Sequence, residues 1–285
     1  MKLALYNLLK IFKRSKGMGH IPDTFDSRDH DMNKHSELLT FSEKEPISDS
    51  YRIGTSNFTP IKNQGKIGSC TAHAGVAIME YYIKKRTGTD YDLSEKYLYW
   101  VTRRLLNWEK RDTGAYLRTV MQALTRFGVC EEKFSPYDEK FAEKPDCVLN
   151  ALADDFRAET YLKLDKGDSS KKTIMVNIKK MIRRNYPIVF GFTVYKNTIN
   201  SKTGEISYPH GIKKVRGGHA VVIIGFDDTR IIGGNKGAFK IRNSWGKNWG
   251  DNGYGWLPYE YLYKGDARDF WMIFRADWLK LSKFD

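Results

Sequence analysis

Of the three cysteines in this 285-residue chain, Cys70 stands where a thiol could act on a carbonyl. It follows Gly68-Ser69 and opens a stretch to Lys85 in which Ala74, Ala77, Ile78, Tyr81 and Tyr82 recur at helical spacing, which predicts a helix start with Ser69 as N-cap. A thiol attacks as its thiolate, and the positive end of a helix draws a cysteine down from its free value of about 8.5. Cys130 lies past a predicted helix end and Cys147 in a polar loop. Alone, Cys70 would read as a small buried hydrophobe, as most cysteines do. Gln64 changes that reading: the glycine-bearing turn between them can return its amide toward the thiol, so that it joins the Cys70 N–H as a donor pair for a developing oxyanion.

Such a thiol needs a base. Among six histidines, His219 follows Gly217-Gly218 at the head of an apolar run, where a rigid element fixes the ring and the backbone can pass close to a ligand. His20, His30 and His35 lie in a polar N-terminal region, His73 is one turn beyond Cys70 and should pack inward, and His210 falls in a loop. Asn243, at the end of the next apolar run, is the candidate to hold the imidazole. Trp245 and Trp249 are near enough in sequence to keep water from that bond.

Elements must bring these residues together. Helices are predicted over 94–106, capped by Ser94, and over 116–127, ending at Gly128. From about Tyr186 the texture turns to short β-rich runs at 187–194, 219–224 and 237–242. A helical half followed by a β half predicts an α+β protein of two lobes with a cleft between them. The expected divisions are a short basic extension over 1–22, a mainly helical lobe over 23–165 with a polar loop or insertion at 29–57, and a mainly β lobe over 166–285.

Composition narrows the remaining classes. The net charge of +14 comes from dispersed lysines and arginines with no nucleic-acid-binding signature, so it reads as solvated surface rather than a specific nucleic-acid interface. Three irregularly spaced cysteines suit neither a disulfide framework nor a zinc site, and no cofactor or metal is expected; pairing of Cys130 with Cys147 is left open. Sparse cysteine leans toward a reducing, intracellular or virion-associated setting. No apolar run nears the roughly 18 residues of a membrane span. Met1–Arg14 mixes leucines with lysines but has no small-residue cleavage site, and a basic amphipathic helix describes it better than a signal peptide.

The segments PIKNQGKIGSCTA (60–72), GGHAV (217–221) and RNSWG (242–246) resemble, in order and spacing, the three catalytic blocks of the papain family. Phe25-Asp-Ser-Arg28 resembles the start of the mature enzymes, Leu93-Ser-Glu95 the segment before the second helix, and Asp112-Thr-Gly-Ala-Tyr116 the strip that binds substrate backbone. The resemblance covers residues 25 to about 275. It implies a helical lobe facing a β-barrel-like lobe and an endopeptidase working through a Cys70–His219 pair and an acyl-enzyme. Gln64 and Asn243 would assist that pair, and Gly114, Ala115, Tyr116, Gly218 and Trp245 would meet a peptide or protein substrate. A catalytically silent relative, or an acyl transferase or deamidase using the same thioester, is the alternative. Ile67 stands in place of a disulfide cysteine and Thr71 in place of a tryptophan, which points to a microbial or viral-type branch. With no long helical propeptide ahead of Phe25, residues 1–22 are expected to be a short regulatory segment that covers the cleft.

Overall fold

The computed structural model describes residues 16–29, 48–167, 169–273 and the strand 279–281. Met1–Arg14 and most of the 29–57 segment lie outside them.

The helical lobe is built on α1 (Cys70–Thr87), which buries nearly all of its circumference. A helix apolar on every side has to be enclosed, and α1 is enclosed by α2 (Glu95–Leu105), α3 (Leu117–Arg126) and the sheet of the other lobe. The Ser94 hydroxyl accepts the Tyr97 N–H and caps α2, as its sequence predicts. Ser69 does not cap α1. Its hydroxyl turns instead to the Tyr137 hydroxyl at 2.5 Å and His73 Nδ1 at 3.3 Å.

The second lobe is an antiparallel sheet. Along it run β5 (Leu162–Lys163), β10 (Ala267–Met272), β6 (Ile188–Tyr195), β7 (Val215–Ile232), β8 (Asn235–Arg242) and β9 (Tyr254–Pro258), with β2 (Ser50–Arg52) added on β7. The sheet is open rather than a closed barrel, with β5 and β9 at its edges. Its inner face is aromatic, and Phe190 stacks on Phe270 with ring centroids 5.2 Å apart. Two sequence expectations change here. Residues 50–52, read as loop, are a strand because their partner, residues 225–227 of β7, lies far along the chain. His219 sits within β7 rather than at its head, since the strand begins at Val215. A short helix, α4 (Val148–Asp154), meets α2 through the Tyr97 hydroxyl, which donates to Asn150, and an amphipathic helix, α5 (Lys171–Arg183), packs on β7.

A buried ion cluster fixes the approach to α1. Lys62 Nζ lies 2.9 Å from Glu80, 2.6 Å from Asp92 and 3.0 Å from Glu95, and it donates to the Leu93 carbonyl. Burial raises the Glu95 carboxyl even beside Lys62, and Lys62 is the cation that Glu80, Asp92 and Glu95 share. Lys62→Met should therefore destabilise the fold by about 3–5 kcal/mol, the cost of leaving a buried charge unpaired. A urea midpoint unchanged from wild type would exclude that account.

Candidate active site

Cys70 occupies the first position of α1 and is fully buried. Its thiol meets the backbone N–H groups of Ala220, Gly19, Thr71 and Cys70 itself; burial nevertheless pushes the thiol up to about 11, and these donors only moderate it. The Ala220 contact brings the sulfur to the residue next to His219 across the lobe boundary.

His219 is also fully buried. Its Nε2 is 2.8 Å from Asn243 Oδ1, and Nδ1 has no hydrogen-bond partner. Trp245 lies flat on the imidazole, with centroids 4.4 Å apart and planes 20° from parallel, and Trp249 meets Trp245 edge-on. Burial draws His219 down to about 4, which the Asn243 bond only partly opposes. Thiol and imidazole are thus both neutral in this covered state. His73, the histidine nearest to Cys70 in sequence, binds the Ser69 carbonyl at 3.1 Å and packs inside the helical lobe.

Gln64 is held from three sides. Its N–H donates to the Ser244 carbonyl, its Oε1 accepts the Ser244 hydroxyl at 2.6 Å, and its carbonyl accepts the Tyr137 hydroxyl. Because Oε1 is engaged, Nε2 is directed to the carbonyls of Ile67 at 2.9 Å and Gly17 at 3.2 Å. The amide donor thus binds two carbonyl oxygens, one within its own turn and one of residue 17.

The Gly114 strip has its own supports. Arg103 is fully buried, stacked 4.0 Å over the Tyr99 ring, and donates to the carbonyls of Glu109, Arg111 and Phe141. Tyr99 donates to Asp112 at 2.6 Å and accepts the Gly114 N–H at 3.1 Å, while Asp112 accepts the Gly68 N–H at 3.0 Å. These bonds tie Gly114, whose φ of +78° suits glycine, to the turn that carries Cys70.

Residues 16–20 lie on this constellation. Gly17 donates to the Gly65 carbonyl and Gly19 to the Gly218 carbonyl, both at 3.0 Å, and Ala115 donates to the Gly19 carbonyl at 2.8 Å. β1 (His20–Ile21) then pairs in parallel with β3 (Ala115–Tyr116). Met18 rests against Gly217, and the Lys16 ammonium reaches the Trp245 carbonyl. The segment thus touches Gly114, Ala115, Gly218 and Trp245, with Tyr116 beside Ile21, and it covers the thiol.

The residues that sequence reasoning missed are of two kinds. Ser244, Tyr99 and Asp112 act through other residues; closeness to Asn243 and Gly114 marks Ser244 and Asp112, and nothing in the sequence marks Tyr99. Gly17, Gly19 and His20 belonged to a segment expected to cover the cleft, yet nothing in their types said which residue meets which.

The family model of papain family cysteine proteases matches residues 46–262. An uncharacterized peptidase C1-like protein of Acanthamoeba polyphaga mimivirus is 33% identical over 230 residues, 78% of this chain and 72% of that protein. Mouse (Mus musculus) cathepsin K is 28% identical over 203 residues, 70% of this chain and 56% of that protein. The crystal structure of xylellain, a cysteine protease from Xylella fastidiosa, superposes with a TM-score of 0.75 at 29% identity, covering 96% of this chain and all of that one. With the fold and a match spanning most of its length in agreement, this chain belongs to the papain family of cysteine proteases.

Proposed function

We propose that the protein is a cysteine endopeptidase whose nucleophile is Cys70, and that residues 16–20 are an autoinhibitory strap over its cleft. The observation that carries the reading is the convergence of the helix-terminal thiol, the Asn243-held imidazole and the Gln64 amide beneath one stretch of backbone. In the open enzyme His219 takes the Cys70 proton and the sulfur attacks a substrate carbonyl carbon. The resulting oxyanion accepts hydrogen bonds from Gln64 Nε2 and the Cys70 N–H. His219 returns the proton to the leaving amine, a thioester remains on Cys70, and water activated by His219 hydrolyses it. Substrate backbone would take the places of Gly17 and Gly19 along Ala115 and Gly218, with Gly114 close beneath it, and Trp245 would shelter the imidazole.

Asn243 orients the base without contacting the reacting atoms. Asn243→Ala is expected to lower kcat by about 10- to 10²-fold, less than the general acid–base contribution as a whole, with KM little changed. An electrophilic peptidyl epoxide should label Cys70 and fail on Cys70→Ala, and product masses should be those of hydrolysis rather than transfer. Labelling without any peptide product would leave a silent binding protein as the better reading.

A further inference from the structure

We propose that a cavity of about 270 Å³ beside the first turn of α1 is a binding site for a small guanidinium compound, held by the His73 imidazole and the Glu132 carboxylate. None of residues 16–21 lines it, so the site is separate from the covered cleft and stands whether or not the protein cleaves peptides.

The first wall is His73. Its Nδ1 donates to the Ser69 carbonyl at 3.1 Å, which places the proton of the neutral ring there and leaves Nε2 a bare acceptor. Burial keeps the ring neutral, drawing it down to about 3. His73 is only 4% exposed, yet Nε2 has no hydrogen-bond partner among the described residues. An acceptor so enclosed costs free energy until a donor reaches it.

Glu132 supplies a second acceptor of this kind. Its Oε1 accepts the Tyr137 N–H at 2.6 Å, while Oε2 is buried with no partner. Burial raises this carboxyl, and the Tyr137 N–H and Lys62 oppose the rise only in part. Lys62, the cation of the lining, is already committed. Its ammonium faces Glu80, Asp92, Glu95 and the Leu93 carbonyl, more acceptors than it has protons. One positive charge thus serves a wall that carries Asp92, Glu95 and Glu132, with Glu80 behind it.

Two acceptors that lack donors, beside an excess of carboxylates, call for a cation that carries several N–H groups. A metal ion does not suit them, since among the described residues no three His, Cys, Asp or Glu side chains converge to hold one. A planar guanidinium points its N–H groups outward along different edges and can reach acceptors that do not converge. Tyr137, whose ring meets His73 edge-on with centroids 4.9 Å apart, adds an aromatic wall that suits such a cation. The volume sets the ligand's size at that of a small molecule, below the usual drug-sized range.

The test is a titration of the ¹⁵N-labelled full-length chain, read from the amide chemical shifts of His73, Glu132 and Tyr137. The probe is methylguanidinium; methylurea is its uncharged counterpart, and tetramethylammonium is a cation without N–H donors. Methylguanidinium should saturate these shifts with an affinity about 10-fold or more above either control, the range a charge-assisted hydrogen bond supplies. Glu132→Gln keeps an acceptor for the Tyr137 N–H but sets an amide in place of the second oxygen, and it should weaken methylguanidinium about 10-fold at an unchanged melting temperature. His73→Phe keeps a ring against Tyr137 without Nε2 and should weaken binding about 5-fold. Gly19→Ala, which lifts residues 16–20, should leave the affinity within about 2-fold of wild type, because the ligand does not enter the cleft. Absence of saturable binding, equal binding of methylurea or tetramethylammonium, full affinity in Glu132→Gln, or an affinity that follows Gly19→Ala would each overturn the assignment.

Discussion

Cys70→Ala is expected to lower peptide turnover by about 10⁴-fold or more, because removing a nucleophile abolishes the covalent route and leaves only binding and oxyanion stabilisation. The comparison belongs in a chain whose cleft is open, since the wild type carries a fully buried thiol under residues 16–20. The fold should not suffer. Alanine removes one small atom at the first turn of α1, and the ties that hold the turn, from Ser244 and Tyr137 to Gln64 and from Asp112 to Gly68, do not involve the sulfur. Circular dichroism and the melting temperature should match those of the parent while hydrolysis and epoxide labelling vanish. Hydrolysis at the parental rate would remove Cys70 from the mechanism.

Gly19→Ala should do the opposite and raise the reactivity of Cys70 by about 10² to 10³-fold, as several hydrogen bonds each worth about 1 kcal/mol net are lost together. A Cβ at Gly19 would lie 1.7 Å from the Gly68 carbonyl oxygen and 2.4 Å from its carbon. These are backbone atoms of the turn that holds Cys70, so they cannot rotate away as a side chain could. The strap must lift instead, giving up its bonds to Gly218, Ala115, Gly65 and the Gln64 amide. Opening also changes the protonation balance. Burial raises the thiol to about 11 and lowers the imidazole to about 4, both of which favour the neutral pair. Hydration relieves both shifts, and the proton can pass from sulfur to His219. Rates of Cys70 alkylation and of peptide hydrolysis should rise together. Alkylation no faster than in wild type would mean that residues 16–20 do not guard the thiol.

The residues that meet at the candidate site were legible in the sequence because they carry local signals. Cys70 opens a periodic helix, His219 follows two glycines into an apolar run, and Asn243 ends the next one. The two-lobed α+β architecture followed from the change of texture near Tyr186. Long-range pairing left no such trace: Ser50–Arg52 is a strand only because residues 225–227 lie beside it. The strap was foreseen as a segment but not in its contacts. The pairing of His20 with Asp269 spans most of the chain and depends on an empty position at Gly191, and the absence of a side chain gives no pattern to read.

The base of the cleft has one more consequence. Asn63 bridges Trp245, Gln64 donates to the Ser244 carbonyl, and Gly246 donates to the Lys62 carbonyl, so three consecutive residues of one lobe are stitched to three of the other directly beneath the reacting groups. His219 and the Gln64 amide are held by neighbouring residues, Asn243 and Ser244. Prising the lobes apart would unseat the Gln64 amide before it made space for a polypeptide. In the proposed peptidase a polypeptide would therefore enter from above, by peeling a ribbon off a floor that stays sewn, and the spacing between sulfur, imidazole and amide donor would survive each exchange of one ribbon for the next.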